Sequence, residues 1–170
     1  MQANDVVLLV TKEDIYKFTQ IKGNVDVDHI SPFVKVAQDI EIQTVLGTVL
    51  YRKILTDVQN STLVGSYSTL VFTYVQPMLI HYAMADFMQF HGYEVSNAGI
   101  IRNNPENTVV PTGGEIDTLV KRYRNIAETY RRRLIDWITL NVQLFPEYTA
   151  YQNGGEYPSS NPTNYTNWNL

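Results

Sequence analysis

The chain reads as an all-α protein, a small bundle of about five helices with a long 92–114 loop and an extended irregular C-terminal tail. Three observations predict this. Apolar residues recur at three- and four-residue spacing from 31 to 59, residues 68–90 are apolar on nearly every side, and a long amphipathic run begins after residue 112. In 170 residues, 44% of them hydrophobic, there is material for one compact core.

Each element has its own local signal. Thr11 can cap a first turn carrying Glu13 and Asp14, so a helix is expected from there through Ile15, Tyr16 and Phe18 to Gln20. After the polar link KGNVDVD, Ser31 is placed as N-cap with Pro32 at the first helical position, where its missing N–H costs nothing. Phe33, Val36, Ala37 and Ile40 form the stripe expected to face the core. Gly47 is expected to end this helix with a positive φ, and Val49, Leu50, Ile54 and Val58 then begin a second stripe.

NSTLVGSYS reads as a loop. The fourth helix, 68–90, is predicted to be the central buried one, kinked or split at Pro77, with Phe72, Tyr74, Phe87 and Phe90 in the core. Its polar interruptions, Gln76, Pro77, His81 and Asp86, argue against a membrane span. Thr112 and Glu115 make a T-x-x-E capping box for the last and longest helix, expected to end near Phe145-Pro146. Composition changes there, so the chain divides into a helical domain, 1–145, and a Tyr/Asn/Pro-rich tail, 146–170.

The charge balance, −4, argues against a dedicated nucleic-acid binder. The absence of cysteine excludes a disulfide framework and thiolate chemistry. The N-terminal apolar run, Val6 to Val10, has no basic region before it and is too short for a signal segment.

No arrangement of residues points to catalysis, a cofactor or a metal. His29, His81 and His91 share no helical face, and the acids of DVDH (26–29) suit helix capping better than a hard metal. Gly113-Gly114 lacks the lysine of a phosphate-binding loop. Asp86 is the best candidate for a perturbed carboxylate, but its expected role is to accept a hydrogen bond from Tyr82, one turn earlier. The run KRYRNIAETYRRRLIDW holds six of the thirteen Lys and Arg residues. It also carries acids at i,i+4 spacing, in the pairs Asp117–Lys121, Glu128–Arg132 and Arg132–Asp136. It therefore reads as a solvated or subunit-contacting face, with Arg124, Arg131 and Arg132 as assembly residues. A DNA-binding accessory using the Lys121–Arg133 face is the alternative. The tail has no Lys or Arg, and its aromatics Tyr148, Tyr151, Tyr157, Tyr165 and Trp168 are expected to dock on a partner surface.

The order of LLVTKEDIYKF, AQDIEIQTVLGTVLYRKI, SNAGIIRNNPEN, YRNIAETYRRRLIDWI and FPEY resembles the head–tail connector (adaptor, or ring) proteins of tailed bacteriophages, crAss-like phages especially, over residues 8–148. The resemblance implies a helical-bundle subunit without enzyme activity or cofactor. It would form a homo-oligomeric ring, twelvefold, beneath the portal protein at the head–tail junction of the virion, after assembly in the host cytoplasm. It would extend the DNA channel, with genomic DNA only as passing cargo, and offer a platform for further ring or tail proteins. No membrane is implied. The tail beyond Tyr148 lies outside the family pattern.

Overall fold

The computed structural model describes residues 6–19, 27–90, 93–96, 99–102, 112–150 and 154–160. Its element order is α1 (Lys12–Phe18), α2 (Ser31–Ala37), α3 (Gln43–Leu46), α4 (Thr48–Gln59), α5 (Gly65–Thr69), α6 (Gln76–Phe90), β1 (Tyr93–Ser96), β2 (Gly99–Arg102), α7 (Gly113–Leu140) and α8 (Pro146–Thr149). The architecture is the all-α bundle that periodicity predicts. Within the expected 92–114 loop lies one antiparallel hairpin, Tyr93 opposite Arg102 and Ser96 opposite Gly99.

Local signals act where they were expected. The Thr11 hydroxyl accepts the Asp14 N–H while the Asp14 carboxylate accepts the Thr11 N–H, a capping box that starts α1. Thr112 and Glu115 do the same at α7, where the Thr112 N–H and hydroxyl hold the Glu115 carboxyl below its ordinary range. At Gly47, φ 74° and ψ 156° turn the chain between α3 and α4.

Several expectations are corrected. Ser31 is the first residue of α2 rather than its cap; Ile30 takes the cap position, after a 3-10 turn Val27–His29. The core stripe is Val34, Ala37, Gln38, Glu41, Ile42, Val45 and Leu46, whereas Val36 and Ile40 face outward. The observed stripe, which runs through a π-turn at Gln38–Ile42, keeps ordinary three- and four-residue steps but is offset by one position from the expected one, because the polar residues Gln38 and Glu41 belong to it. Pro77 does not split its helix. The chain stays helical over 65–90, and the departure from α geometry is a second π-turn, Leu70–Val75, just before Gln76-Pro77.

α6 is the element on which the bundle is built. α7 packs along it, α2 and α1 pack on it too, and nine of its fifteen residues are buried. Tyr74 and Phe87 join the core as expected, but Phe72 and Phe90 are more than half exposed, Phe90 stacking on Phe33. A helix apolar all round still has an outer side when only some of its faces are covered. Two buried glutamines fasten the N-terminal segment to this core. Gln38 accepts from the Leu9 N–H and donates to the Val7 carbonyl, and Gln76 donates to the Leu9 carbonyl.

α7 ends at Leu140 rather than at Phe145, because the Asn141 side chain donates back to the Trp137 carbonyl and a 3-10 turn, Val142–Leu144, comes next. Phe145 is fully buried against Tyr67 and Trp137, and the Tyr67 hydroxyl donates to Glu147 at 2.7 Å. Burial and that carboxylate push the Tyr67 phenol up to about 12. Residues 146–149 form the short helix α8, whose Tyr148 packs against the core.

Candidate functional site

Helical phase divides the basic run of α7 into two groups. Val120, Arg124, Ala127, Arg131, Leu134 and Ile138 alternate at four- and three-residue steps, and all but Arg124 are buried. Lys121, Arg122, Asn125, Thr129 and Arg133 lie on the outer side and are exposed.

Arg131 is 1% exposed, so its expected role as an assembly residue is corrected. Its Nη1 donates to Glu41 Oε2 at 3.1 Å, joining α7 to the π-turn after α2. Both side chains are almost fully buried, so each charge depends on the other to offset the cost of leaving water. Arg124 donates to Asp86 Oδ1 at 3.0 Å and also faces inward. Burial raises the Asp86 carboxyl above its ordinary range, and Arg124 reverses only part of that. Tyr82 is therefore not the partner of Asp86. Its hydroxyl donates to Glu128 instead, and its phenol is raised by burial and then by that carboxylate. Of the three expected assembly arginines only Arg132 is exposed, and it donates weakly to Thr129 Oγ1 at 3.4 Å. Among the described residues none of the three expected i,i+4 pairs on α7 closes as an ion pair.

The described part of the tail docks on this chain itself. Residues 154–160 run extended over the Gly47 corner. The Thr48 N–H donates to the Glu156 carbonyl (3.0 Å), the Glu156 N–H to Thr48 Oγ1 (2.8 Å), and the Ser159 N–H to the Thr44 carbonyl (2.9 Å). Arg131 Nη2 reaches the Ser159 carbonyl at 3.5 Å. A Cβ on Gly47 would stand 2.7 Å from Pro158 Cδ, so the absence of a side chain is what lets this strap lie down. Tyr148 is partly buried against the core, and burial raises its phenol. Tyr157 is 59% exposed. Tyr151, Tyr165 and Trp168 lie outside the described residues, as do Asp26 of the DVDH cluster and His91.

On the outer face of α7 a groove of about 690 Å³ is lined by Thr118, Lys121, Arg122, Asn125, Ile126, Thr129, Tyr130 and Arg133. It contains three cations and no carboxylate, and the Arg133 guanidinium lies 5.6 Å from the Tyr130 ring centre. Among the described residues no three His, Asp or Glu side chains converge as a metal site would require, and no helix is long and apolar enough to cross a membrane.

The sequence carried a signal that separates these groups. The alternation of Val120, Arg124, Ala127, Arg131, Leu134 and Ile138 puts both arginines in the core stripe, leaving Lys121, Arg122 and Arg133 outside. Glu41, Thr44, Thr48, Pro158 and Ser159 had no such signal, because their contacts span from 28 to more than 100 residues of chain.

Residues 42–158 match the model of a family of unknown function (DUF6712), and the chain belongs to that family. The matched region holds the Gly47 corner and the strap as far as Pro158. No curated protein and no solved structure matches the chain.

Proposed function

We propose that this member of the family is a structural virion protein, a head–tail connector subunit that forms a ring beneath the portal, extends the DNA channel and carries further ring or tail proteins. One observation carries the reading. A well-packed bundle leaves large apolar side chains exposed on different helices, Val36 and Ile40 on α2 and its π-turn, and Leu119 and Leu140 on α7. Such patches are not equivalent surfaces. Contact between unlike patches of successive copies is heterologous, and heterologous contact closes into a ring when the rotation per copy closes. The sequence resemblance over residues 8–148 supports the same reading. So does the pairing of Asp86, the carboxylate best placed for acid–base work, with Arg124.

The ring is proposed as twelvefold, with the portal and further tail proteins as partners and the head–tail junction of the virion as location. Full-length protein co-expressed with its portal should co-purify, and particle imaging should show a closed ring stacked on the portal. A chain that stays monomeric and never associates with portal or capsid would refute the reading. Tyr157 and Arg132, the expected interface residues that are exposed, should then lie at a subunit or portal contact.

A further inference from the structure

We infer that the outer groove of α7 is a binding site for the sugar–phosphate backbone of DNA, read without regard to sequence. The inference stands on the groove and does not depend on ring formation. Lys121, Arg122 and Arg133 line it, and all three are exposed. The other basic residues of the helix are committed elsewhere: Arg124 to Asp86, Arg131 to Glu41, and Arg132 outside the groove lining.

The chain is acidic overall, and Arg124 and Arg131 are neutralised by Asp86 and Glu41, so the helix's local positive charge is the cluster Lys121, Arg122 and Arg133 that lines the groove. Of the four acids in residues 115–138 none lines the groove, and Glu128 is held by Tyr82 on the inner side. Positive charge in the groove thus meets no carboxylate wall.

The lining chemistry selects the occupant. Between the cations stand Asn125 and Tyr130, neutral side chains that can donate hydrogen bonds, while the Thr129 hydroxyl donates to the Asn125 carbonyl. Arg, Lys, Thr, Asn and Tyr are the residues that contact phosphate oxygens in protein–DNA complexes. Lys121 and Arg133 are twelve residues apart, about 18 Å along a helix rising 1.5 Å per residue. That separation suits a repeating polyanion better than a single phosphate. An acidic protein segment would need an apolar core to its interface, and Ile126 is the one aliphatic side chain in the lining. The proposed contact is to the backbone, which fixes position along the duplex and carries no sequence information.

The test is fluorescence anisotropy with the full chain and labelled 20-base-pair duplexes of two unrelated sequences, titrated from 50 to 200 mM salt. With three phosphate contacts the slope of log K against log salt should be about −2.7, an affinity loss of about 40-fold across that range. Both duplexes should bind equally. Lys121→Gln, Arg122→Gln and Arg133→Gln should each reduce the slope by about one, and the triple variant should lose binding. Lys17→Gln, an equal change of net charge at an exposed position on α1 outside the groove lining, should stay within about twofold of wild type if local geometry governs the contact. Circular dichroism of the variants should match wild type, since none of these side chains is buried.

Absence of binding at 50 mM salt would overturn the inference, as would a folded triple variant that binds like wild type. Equal loss in Lys17→Gln would reduce the effect to overall charge and overturn the site. Binding of poly-glutamate without binding of DNA would assign the groove to an acidic protein partner instead.

Discussion

Replacing Gly47 with alanine should destabilise this protein severalfold more than an ordinary surface substitution. At φ 74° and ψ 156° the residue occupies a region essentially reserved for glycine, and a side chain there costs on the order of 1–3 kcal/mol. The new Cβ would also lie 2.7 Å from Pro158 Cδ, 2.9 Å from its Cγ and 3.0 Å from its backbone nitrogen. Pro158 must therefore move, and it lies between Glu156 and Ser159, which hold the strap by hydrogen bonds to Thr48 and Thr44. Each such bond contributes about 0.5–1.5 kcal/mol net. Strain together with partial loss of the strap gives about 2–5 kcal/mol, a large share of the 5–15 kcal/mol typical of a folded domain. For a chain of this size that corresponds to a fall in Tm of roughly 5–15 °C. Urea and thermal unfolding of Gly47→Ala, Pro158→Ala and the double variant would separate the two contributions. The double variant should be more stable than additivity predicts, because removing the proline ring relieves the overlap while leaving the strain. A neutral or stabilising Gly47→Ala would refute the reasoning, since glycine at a compatible position gains about 0.4–1 kcal/mol on replacement by alanine.

The remaining predictions concern the charges and the tail. Arg131→Met should cost about 3–5 kcal/mol by leaving Glu41 buried without its partner, and adding Glu41→Met should restore most of that loss in urea titrations. Asp86 binds protons more readily in the folded chain than in the unfolded one. Its contribution to stability is therefore fully present below its unfolded pKa and falls away as pH rises through its elevated folded value. Asp86→Asn should accordingly flatten the pH dependence of stability just above the ordinary carboxylate range and be neutral or stabilising at pH 7. Unfolding curves measured from pH 3 to 7 would test this. Truncation after Ala150 removes the strap and should lower Tm while leaving the helical circular-dichroism signal of the bundle. A truncated chain that melts with wild type would show that the strap contributes nothing to the fold.

Much of the fold was legible because its signals are local. The Thr112–Glu115 box, the Thr11 cap and the Gly47 corner are each decided within a few residues, by backbone donors that need an acceptor or by a φ that only glycine adopts cheaply. The outward position of Val36 and Ile40 was not legible, since the inward stripe runs through Gln38 and Glu41, polar residues that a count of apolar spacing leaves out. For the candidate groove the residue types were evident, and the phase of α7 separates Lys121, Arg122 and Arg133 from the inward Arg124 and Arg131.

The sequence by itself determined an all-helical chain with defined starts and one obligatory corner, because helix periodicity and capping are short-range. Only the tertiary structure decided that Arg131 is an internal ion-pair partner of Glu41, that Asp86 belongs to Arg124, and that the strap carrying Pro158 covers Gly47. Those pairings join residues 90, 38 and 111 positions apart. A charge or a glycine states what it needs, but which distant group meets that need is set by how the helices pack.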